Sequence, residues 1–148
     1  MPDTIASILR KKGGEIWSIA PDASVYDAIA MMADKRIGSL LVMRGDQLVG
    51  IITERDYARK VILQGRSSKD TPVEAIMTSE VATVTPEHTV EDCMRIITDL
   101  RVRHLPVLCN REVIGIISIG DLVNSIISAQ ADTIDHLNTY IHGAAMVR

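Results

Sequence analysis

The sequence predicts an α/β fold of the α+β type, made of two β-α-β-β-α units that pack sheet against sheet with pseudo-twofold symmetry, plus N- and C-terminal helices. The main observation is an internal repeat: residues 16–60 align with residues 81–125 without a gap. The second observation is that both copies show the same order of strand-like and helix-like periodicities. A unit of about 45 residues buries too little apolar surface to be stable alone, so the two copies are expected to share a core.

The repeat includes glycine, proline and charged residues as well as apolar ones. These residues have specific backbone or chemical roles, so their agreement is stronger evidence than a shared hydrophobic pattern. Identical pairs include Pro21/Pro86, Asp27/Asp92, Arg36/Arg101, Gly50/Gly115 and Asp56/Asp121.

Three strands are predicted in each copy. Pro21 and Pro86 end the first strand, because proline has no N–H group for the ladder. Gly45 and Asn110 lie between the two central strands and tolerate the positive φ of a tight hairpin turn. The predicted strands cover residues 16–19, 39–43 and 47–53 in the first copy, and residues 81–84, 104–108 and 112–118 in the second.

Two helices are predicted in each copy. Ser24 and Thr89 are N-cap candidates, and each is followed three residues later by an aspartate, as in a capping box. Apolar residues then recur on one face at helical spacing. The predicted helices cover residues 25–35 and 54–63 in the first copy, and residues 90–100 and 119–129 in the second.

Further segments lie outside the repeat. An amphipathic segment starts the chain, a short helix is predicted over residues 72–77, and a tail helix over residues 133–142. The tail helix presents Ile134, Leu137 and Ile141 on one side, which is typical either of intramolecular packing or of a dimer contact. The predicted domains are residues 13–66 for the first repeat, 78–130 for the second, and 131–148 for the C-terminal helix and tail.

The composition excludes several classes of function. A net charge of -3 is unlike the basic surface of a nucleic-acid-binding protein. No apolar run approaches the ~20 residues of a membrane span, and the first residues lack an export signal. Cys93 and Cys109 are unclustered and are predicted to be reduced, buried fillers. We therefore expect a cytoplasmic protein with no nucleic-acid partner and no membrane partner.

One polar segment recurs in both copies after an apolar strand. As a structural feature, Thr53 and Ser118 cap a helix and Asp56 and Asp121 are their reciprocal partners, worth about 1 kcal/mol. As a binding site, the N–H groups of a helix start attract phosphate, and a carboxylate one turn in accepts ribose hydroxyls. The residues alone leave both interpretations open. The two segments are residues 50–56 and 115–121.

Basic residues lie close to these segments in sequence. Singly, each is typical of a solvated surface charge; together with the hydroxyl–acid pairs, they indicate a cleft that faces phosphate groups. They are Arg55, Arg59 and Lys60 in the first copy, and Arg101, Arg103 and His104 in the second.

The doubled unit, the two Gly-x-x-[Ser/Thr]-x-x-Asp segments and the string Arg-His-Leu-Pro-Val at residues 103–107 resemble the cystathionine β-synthase (CBS) domain, over roughly residues 13–130. In that family two repeats form a Bateman module with two clefts between the sheets, and modules often dimerise. The resemblance implies a homodimeric regulatory module that binds AMP, ADP, ATP or NAD(H) and acts on a separate, unknown partner protein.

The resemblance also implies site residues. It assigns Thr53 and Asp56 to one cleft and Ser118 and Asp121 to the other, with each aspartate holding a ribose. The first strand of each copy frames the base in the family. The residues at those positions are Ser18, Ile19 and Ala20 in the first copy, and Thr83, Val84 and Thr85 in the second.

The two clefts are expected to differ. Arg103, followed by His104, matches a family position that is often basic and directed at phosphate. The first copy has Gly38 there instead, and Arg55 is expected to compensate for the missing charge. Trp17, expected near the first cleft, fits either stacking on a base or a core position.

Two other functions fit the sequence less well. No Ser-His-Asp or Cys-His grouping, metal-ligand spacing or phosphate-binding Gly-Lys-Ser stands out, so no catalytic residue, catalytic cofactor or metal site is predicted. A purely structural dimerisation module, whose capping pairs never contact a ligand, is the alternative to nucleotide binding.

Overall fold

The computed structural model describes residues 4–147, without the side chains at positions 132, 136 and 139–147. No helix within this part of the chain is both long and apolar enough to cross a membrane. The elements in chain order are α1 (Ile5–Lys12), β1 (Ser18–Ile19), α2 (Val25–Lys35), β2 (Ser39–Arg44), β3 (Gln47–Thr53), α3 (Glu54–Tyr57), a π-helical turn (Ala58–Ile62), a 3-10 turn (Val73–Ala75), α4 (Val90–Leu100), β4 (His104–Cys109), β5 (Glu112–Ser118) and α5 (Ile119–Val147).

The two repeats contain matching hairpins, and the predicted α+β repeat fold is confirmed. In the first sheet, β1 runs parallel to β2 and β2 antiparallel to β3. In the second, β4 runs antiparallel to β5. Both hairpins have an irregularity of register at the same place, between Val42 and Met43 and between Val107 and Leu108. Such bulges bend a strand locally, so the repeat is preserved in backbone detail.

The strand predicted over residues 81–84 is not formed, and only Val84 makes a parallel bridge, to Val107. In the first repeat, the N–H of Leu41 donates to the Trp17 carbonyl oxygen at 3.2 Å. The equivalent of Leu41 in the second repeat is Pro106, which has no N–H to donate. One ladder hydrogen bond is therefore lost, and the third strand is reduced to a bridge.

The helices α2 and α4 have the predicted bounds and the predicted caps. The Asp27 N–H donates to the Ser24 hydroxyl oxygen at 3.1 Å. The Asp92 N–H donates to the Thr89 hydroxyl oxygen at 3.0 Å, and the Thr89 N–H donates back to the Asp92 carboxylate at 3.0 Å. The capping box that the sequence indicates is thus complete in the second repeat.

Four predicted helices differ from the structure. The helix expected over residues 54–63 begins as α3 but widens into the π-helical turn, and the one expected over residues 72–77 is only the 3-10 turn. The helices expected over residues 119–129 and 133–142 form one continuous helix, α5. Residues 130–132 are Gln-Ala-Asp, and they contain no glycine or proline that would end a helix. The Ile141 side chain lies outside the described residues.

Each repeat is completed by a segment that precedes the other repeat. The Ile5 N–H donates to the His88 carbonyl oxygen at 2.9 Å, so α1 lies on the second repeat. The Val73 N–H donates to the Ala23 carbonyl oxygen at 2.8 Å, so the 3-10 turn lies on the first repeat. Ile5 and Val73 are fully buried in the cores of the repeats on which they lie. We call these two pieces, residues 4–12 and 73–78, the crossed segments.

Glycines in the two central strands make room for the crossed segments. A Cβ atom at Gly50 would lie 2.9 Å from the Thr78 carbonyl oxygen and 2.5 Å from the Met77 sulfur. A Cβ atom at Gly115 would lie 2.7 Å from a methyl carbon of Leu9. The identical glycines of the repeat therefore have a shared packing role, which is close approach by the crossed segment.

The two cysteines differ in environment. Cys93 is fully buried in α4, as predicted, and burial, with the negative charge of Asp92, raises its pKa to about 11. Cys109 is exposed, so its prediction as a buried filler is wrong. Its position at the end of β4, next to the hairpin turn, explains the exposure. Both thiols are free.

Candidate functional site

The hydroxyl–acid pair of the first repeat opens onto a cleft of about 670 Å³ between the repeats, called here the first cleft. The first repeat contributes the end of β3 and the start of α3, and the second contributes the approach to β4. The polar and charged side chains that line it include Thr53, Glu54, Arg55, Asp56, Arg59, Glu80, Arg101, Arg103 and His104.

Thr53 and Asp56 form a reciprocal capping box at the mouth of α3. The Asp56 N–H donates to the Thr53 hydroxyl oxygen at 3.0 Å. One Asp56 carboxylate oxygen accepts the Thr53 N–H at 3.0 Å and the Thr53 hydroxyl at 3.1 Å. The other lies 3.2 Å from the Lys60 ammonium. The carboxylate is thus held in place by its own helix, while it still lines the first cleft.

Arginines from both repeats line the same cleft as this carboxylate. Arg55 and Arg59 come from the first repeat, and Arg101 and Arg103 come from the second. Arg101 ends α4 in the left-handed conformation, with φ of 55°, which turns the chain toward the cleft. Guanidinium groups bind phosphate with paired donors, so this cleft suits an anionic ligand with hydroxyl groups.

Arg55 and Arg103 both line the first cleft. We expected them in different clefts, with Arg55 supplying in one cleft the positive charge that Arg103 supplies in the other. The reason is the pseudo-twofold packing, which places the approach to β4 opposite the start of α3. His104 lies there too, at the boundary between the two clefts. Burial, together with the charges of Lys12 and Arg103, lowers the pKa of His104 against the opposing effect of Asp121.

A second cleft of about 400 Å³ is the pseudo-symmetric counterpart of the first. Arg36 lines it where Arg101 lines the first cleft, and Ser118 lines it where Thr53 does. Trp17 is 37% exposed and lies in this second cleft, with the Lys35 ammonium 4.3 Å from the ring centre. Trp17 is therefore not in the core. The prediction that it lies near the first cleft is wrong.

Asp121 does not face the second cleft as Asp56 faces the first. Its carboxylate closes a capping box with Ser118, whose N–H donates to it at 2.8 Å. The same carboxylate oxygen accepts the Lys12 ammonium at 2.6 Å. Burial alone would raise the pKa of Asp121, but hydrogen bonds from Lys12 and Ser118 outweigh this and lower it. Lys12 lines the second cleft, and Asp121 is not among the residues that line it.

The first-strand residues that the resemblance assigns to the base do not line either of these clefts. Ile19 and Val84 are buried in the cores of their repeats. Ser18, Ala20, Thr83 and Thr85 are exposed. Their contact with a base stays a prediction. The lining of the first cleft instead includes Val81 and Ala82, just before the assigned positions.

One feature of the clefts was missed at the level of sequence. Arg101, which the sequence placed among the basic residues of a phosphate-facing cleft, lines the first cleft. Lys12 gave no signal, because it precedes the repeat and reaches Asp121 only through the crossing of α1. Among the described residues, no group of three His, Cys, Asp or Glu side chains could hold a metal ion.

Comparisons with known proteins agree with this architecture. The CBS domain family model matches residues 5–62 and 73–128. The mitochondrial CBS domain-containing protein CBSX3 of Arabidopsis thaliana is 44% identical over 150 residues, which span 95% of this chain and 72% of that protein. The structure of a protein with CBS domains from Burkholderia ambifaria MC40-6 is 53% identical, with a TM-score of 0.83, and the match covers 86% of this chain and 96% of that one.

More distant structures contain ligands. The CBS domain protein PAE2072 from Pyrobaculum aerophilum, solved with AMP, is 22% identical with a TM-score of 0.72, over 80% of this chain and 88% of that one. The CBS domain pair of protein MJ0100, solved with 5′-methylthioadenosine and S-adenosyl-L-methionine, is 23% identical with a TM-score of 0.76, over 88% and 99%. At these identities the likeness shows the fold alone.

Proposed function

The chain belongs to the CBS-domain family, and from that premise we propose that it is a regulatory module that binds an adenine nucleotide in the first cleft. AMP, ADP, ATP and NAD(H) are the candidates. In this proposal the Asp56 carboxylate accepts the ribose hydroxyls, and Arg55 and Arg103 contact the phosphates.

The observation that carries the proposal is that two kinds of chemical group line the same cleft. The first repeat contributes the Asp56 carboxylate, which lies in the first turn of a capped helix, and both repeats contribute guanidinium groups. A ribose phosphate needs both, since its hydroxyls donate to a carboxylate and its phosphate accepts from arginine. The relatives that were solved with AMP, or with methylthioadenosine and S-adenosylmethionine, support an adenosine-containing ligand.

We also propose that the module is non-catalytic and cytoplasmic. Support for the first point comes from the Thr53–Asp56 pair, whose hydrogen bonds are those of a helix capping box. The effect on a partner protein, which is unidentified, would then arise from a ligand-dependent change of shape.

Homodimerisation is a further part of the proposal. It is supported by an apolar stripe on α5, in which large side chains are exposed at helical spacing. The stripe consists of Ile119, Val123, Ile127, Ile134 and Leu137. The same stripe also favours the second candidate function, a purely structural dimerisation module. That function needs no ligand, and the capping boxes are complete without one.

A melting experiment with matched variants separates the two functions. A nucleotide at 100 times its Kd stabilises the fold by about 2.7 kcal/mol, which raises the Tm by roughly 5–10 °C for a chain of this size. We expect that rise for at least one of AMP, ADP, ATP and NAD(H). Asp56→Asn and Arg103→Ala should abolish it.

Asp92→Asn is the control, because Asp92 makes the same capping box as Asp56 but does not line the first cleft. It should lower the Tm of the free protein and leave the rise on nucleotide addition intact. If no nucleotide raises the Tm at millimolar concentration, or if Asp92→Asn and Asp56→Asn behave alike, the structural dimerisation module is the better description.

A further inference from the structure

We propose that Lys12 is a built-in occupant of the second cleft: its ammonium takes the position on Asp121 that ribose hydroxyls take on Asp56. The wild-type chain then binds one nucleotide, in the first cleft, and the second cleft accepts a ribose only when Lys12 withdraws. This inference rests on the proposed function, because it assigns a stoichiometry to the same type of site.

The contacts of Lys12 are those of a fixed side chain rather than a loose surface charge. Its ammonium donates to the Asp121 carboxylate at 2.6 Å and to the Ile116 carbonyl oxygen at 2.8 Å. The exposed fractions of the Lys12 and Asp121 side chains are 34% and 22%. A charge-assisted pair of this length is among the stronger hydrogen bonds in proteins.

The first cleft provides the comparison. Asp56 also contacts a lysine, but that lysine is Lys60, which comes from the next turn of the same helical segment, 3.2 Å from the carboxylate. Lys60 does not line the first cleft, whereas Asp56 does. In the second cleft the order is reversed: the lysine lines the cleft and the aspartate does not. Lys12 is thus the member of the pair that lines the second cleft, while Asp121 lines an adjoining pocket of about 320 Å³ together with Lys12.

The asymmetry is encoded in the crossed segments. Lys12 ends the first one, whereas the other, residues 73–78, contains no lysine or arginine. Met77 packs against Gly50 and carries no charge that could reach Asp56. The repeat thus supplies the same capping box twice, while only the first crossed segment supplies a cation for it.

A ribose cannot displace this lysine easily. Its hydroxyls are neutral donors, and they would replace a charged donor on the carboxylate. Withdrawal of Lys12 would also remove its hydrogen bond to the Ile116 carbonyl. We therefore expect the second cleft to bind nucleotide at least tenfold more weakly than it does once the ammonium is removed.

Binding stoichiometry tests the inference directly. Calorimetric titration with the nucleotide that stabilises the protein should give one equivalent for the wild type and two for Lys12→Met. Lys11→Met is the matched control, because it removes the same charge from the neighbouring residue, which does not line the second cleft. It should give one equivalent. The second equivalent of Lys12→Met should disappear when Asp121→Asn is added, and the first should disappear with Asp56→Asn.

Chemical labelling tests the Lys12 contact without any nucleotide. With limiting acetic anhydride at pH 8, Lys12 should be acetylated several-fold more slowly than Lys11, and Asp121→Asn should remove the difference. Equal rates in the wild type would overturn the inference, because the ammonium would then be free.

The failures of the two proposals are distinguishable. If the wild type and Lys12→Met each bind one nucleotide per chain, and Asp56→Asn abolishes that binding, the inference on Lys12 is wrong and the proposed function stands. The same conclusion holds if the wild type binds two nucleotides per chain. If neither the wild type nor Lys12→Met binds nucleotide, both proposals are wrong.

Discussion

Asp56 and Asp121 illustrate how one local arrangement acquires two environments. Each lies three residues into a helix and closes a capping box with the hydroxyl residue that ends the preceding strand. Their difference comes from a residue far away in sequence, since Lys12 forms an ion pair with Asp121 while Asp56 is paired with Lys60 of its own helical segment. The environment of Asp121 is therefore decided by the segment that precedes the first repeat.

The Lys12–Asp121 pair should contribute to stability in a pH-dependent way. Because the pKa of Asp121 is lowered in the folded protein, its contribution is present above the unfolded pKa of about 3.9 and is lost as pH falls through the folded value. Lys12→Met should cost about 1 kcal/mol at pH 7, as expected for a partly exposed pair. The cost, measured by urea unfolding, should shrink toward pH 3. A cost that is constant between pH 7 and pH 3 would contradict the assignment.

His104 gives a second pH dependence, in a different range. Its pKa is lowered by burial and by the positive charges of Lys12 and Arg103. The folded protein then binds fewer protons than the unfolded chain, so stability is full above the unfolded pKa of about 6.5 and is lost as pH falls through the folded value. The Tm should fall from pH 7.5 to pH 5.5, and His104→Gln should reduce that fall. An equal fall in His104→Gln would show that other groups are responsible.

At this scale the sequence predicted the capping boxes but not the contents of the clefts. Thr53 and Asp56 are close in sequence, so a local motif was enough to identify their contact. That Arg103 and Thr53 line one cleft, and that Lys12 contacts Asp121, depends on how the repeats pack. A resemblance assigned Arg103 a role without indicating which hydroxyl–acid pair it would face.

The strands and helices differ in how far local sequence determines them. The bounds of α2 and α4 follow from strong caps, and they were predicted correctly. The lost third strand depends on Pro106, which lies in the partner strand rather than in residues 81–84, so their own apolar pattern was misleading. The continuity of α5 was missed because a break was placed at residues 130–132, which contain no helix-breaking residue.

Replacing the equivalent glycines of the two central strands by alanine should lower the free energy of unfolding by different amounts. Gly50→Ala would place a methyl group 2.9 Å from the Thr78 carbonyl oxygen, which belongs to the backbone. Gly115→Ala would meet the Leu9 side chain, which can rotate. Urea unfolding should show a loss of about 2–3 kcal/mol for Gly50→Ala and a smaller loss for Gly115→Ala. Equal losses, or a larger one at Gly115, would contradict the packing described for the crossed segments.

The apolar stripe on α5 predicts the effect of a charge on assembly. Ile127 is 56% exposed within the stripe, and a carboxylate there would be buried unpaired in a dimer. We expect Ile127→Glu to shift the mass measured by light scattering from dimer to monomer at micromolar concentration. Ser128→Glu, one residue along the same helix, should leave the mass unchanged. A wild type that is monomeric would remove this part of the proposed function.

The crossed segments link the two repeats through buried side chains, so we expect the whole molecule to unfold in a single transition. Ile5 and Ile76 are almost fully buried. Ile5 lies in the core of the second repeat although its segment precedes the first, and Ile76 lies in the core of the first repeat although its segment precedes the second. Ile5→Ala and Ile76→Ala should each cost about 3 kcal/mol. Both should lower a single transition, recorded by circular dichroism and by Trp17 fluorescence. Two separated transitions would show that the repeats unfold independently.

The crossed segments also determine when the chain can fold during its synthesis. The α1 helix is made before either repeat, but the carbonyls of Pro86 and His88 that its N–H groups bind leave the ribosome much later. The first repeat can be completed once residues 73–78 have emerged, before the second repeat is made. The α1 helix, in contrast, has no packing partner until the second repeat has emerged. The nascent chain must keep Ile5, Ile8 and Leu9 exposed until β5 has emerged, so its amino-terminal helix is a segment that a ribosome-associated chaperone would meet.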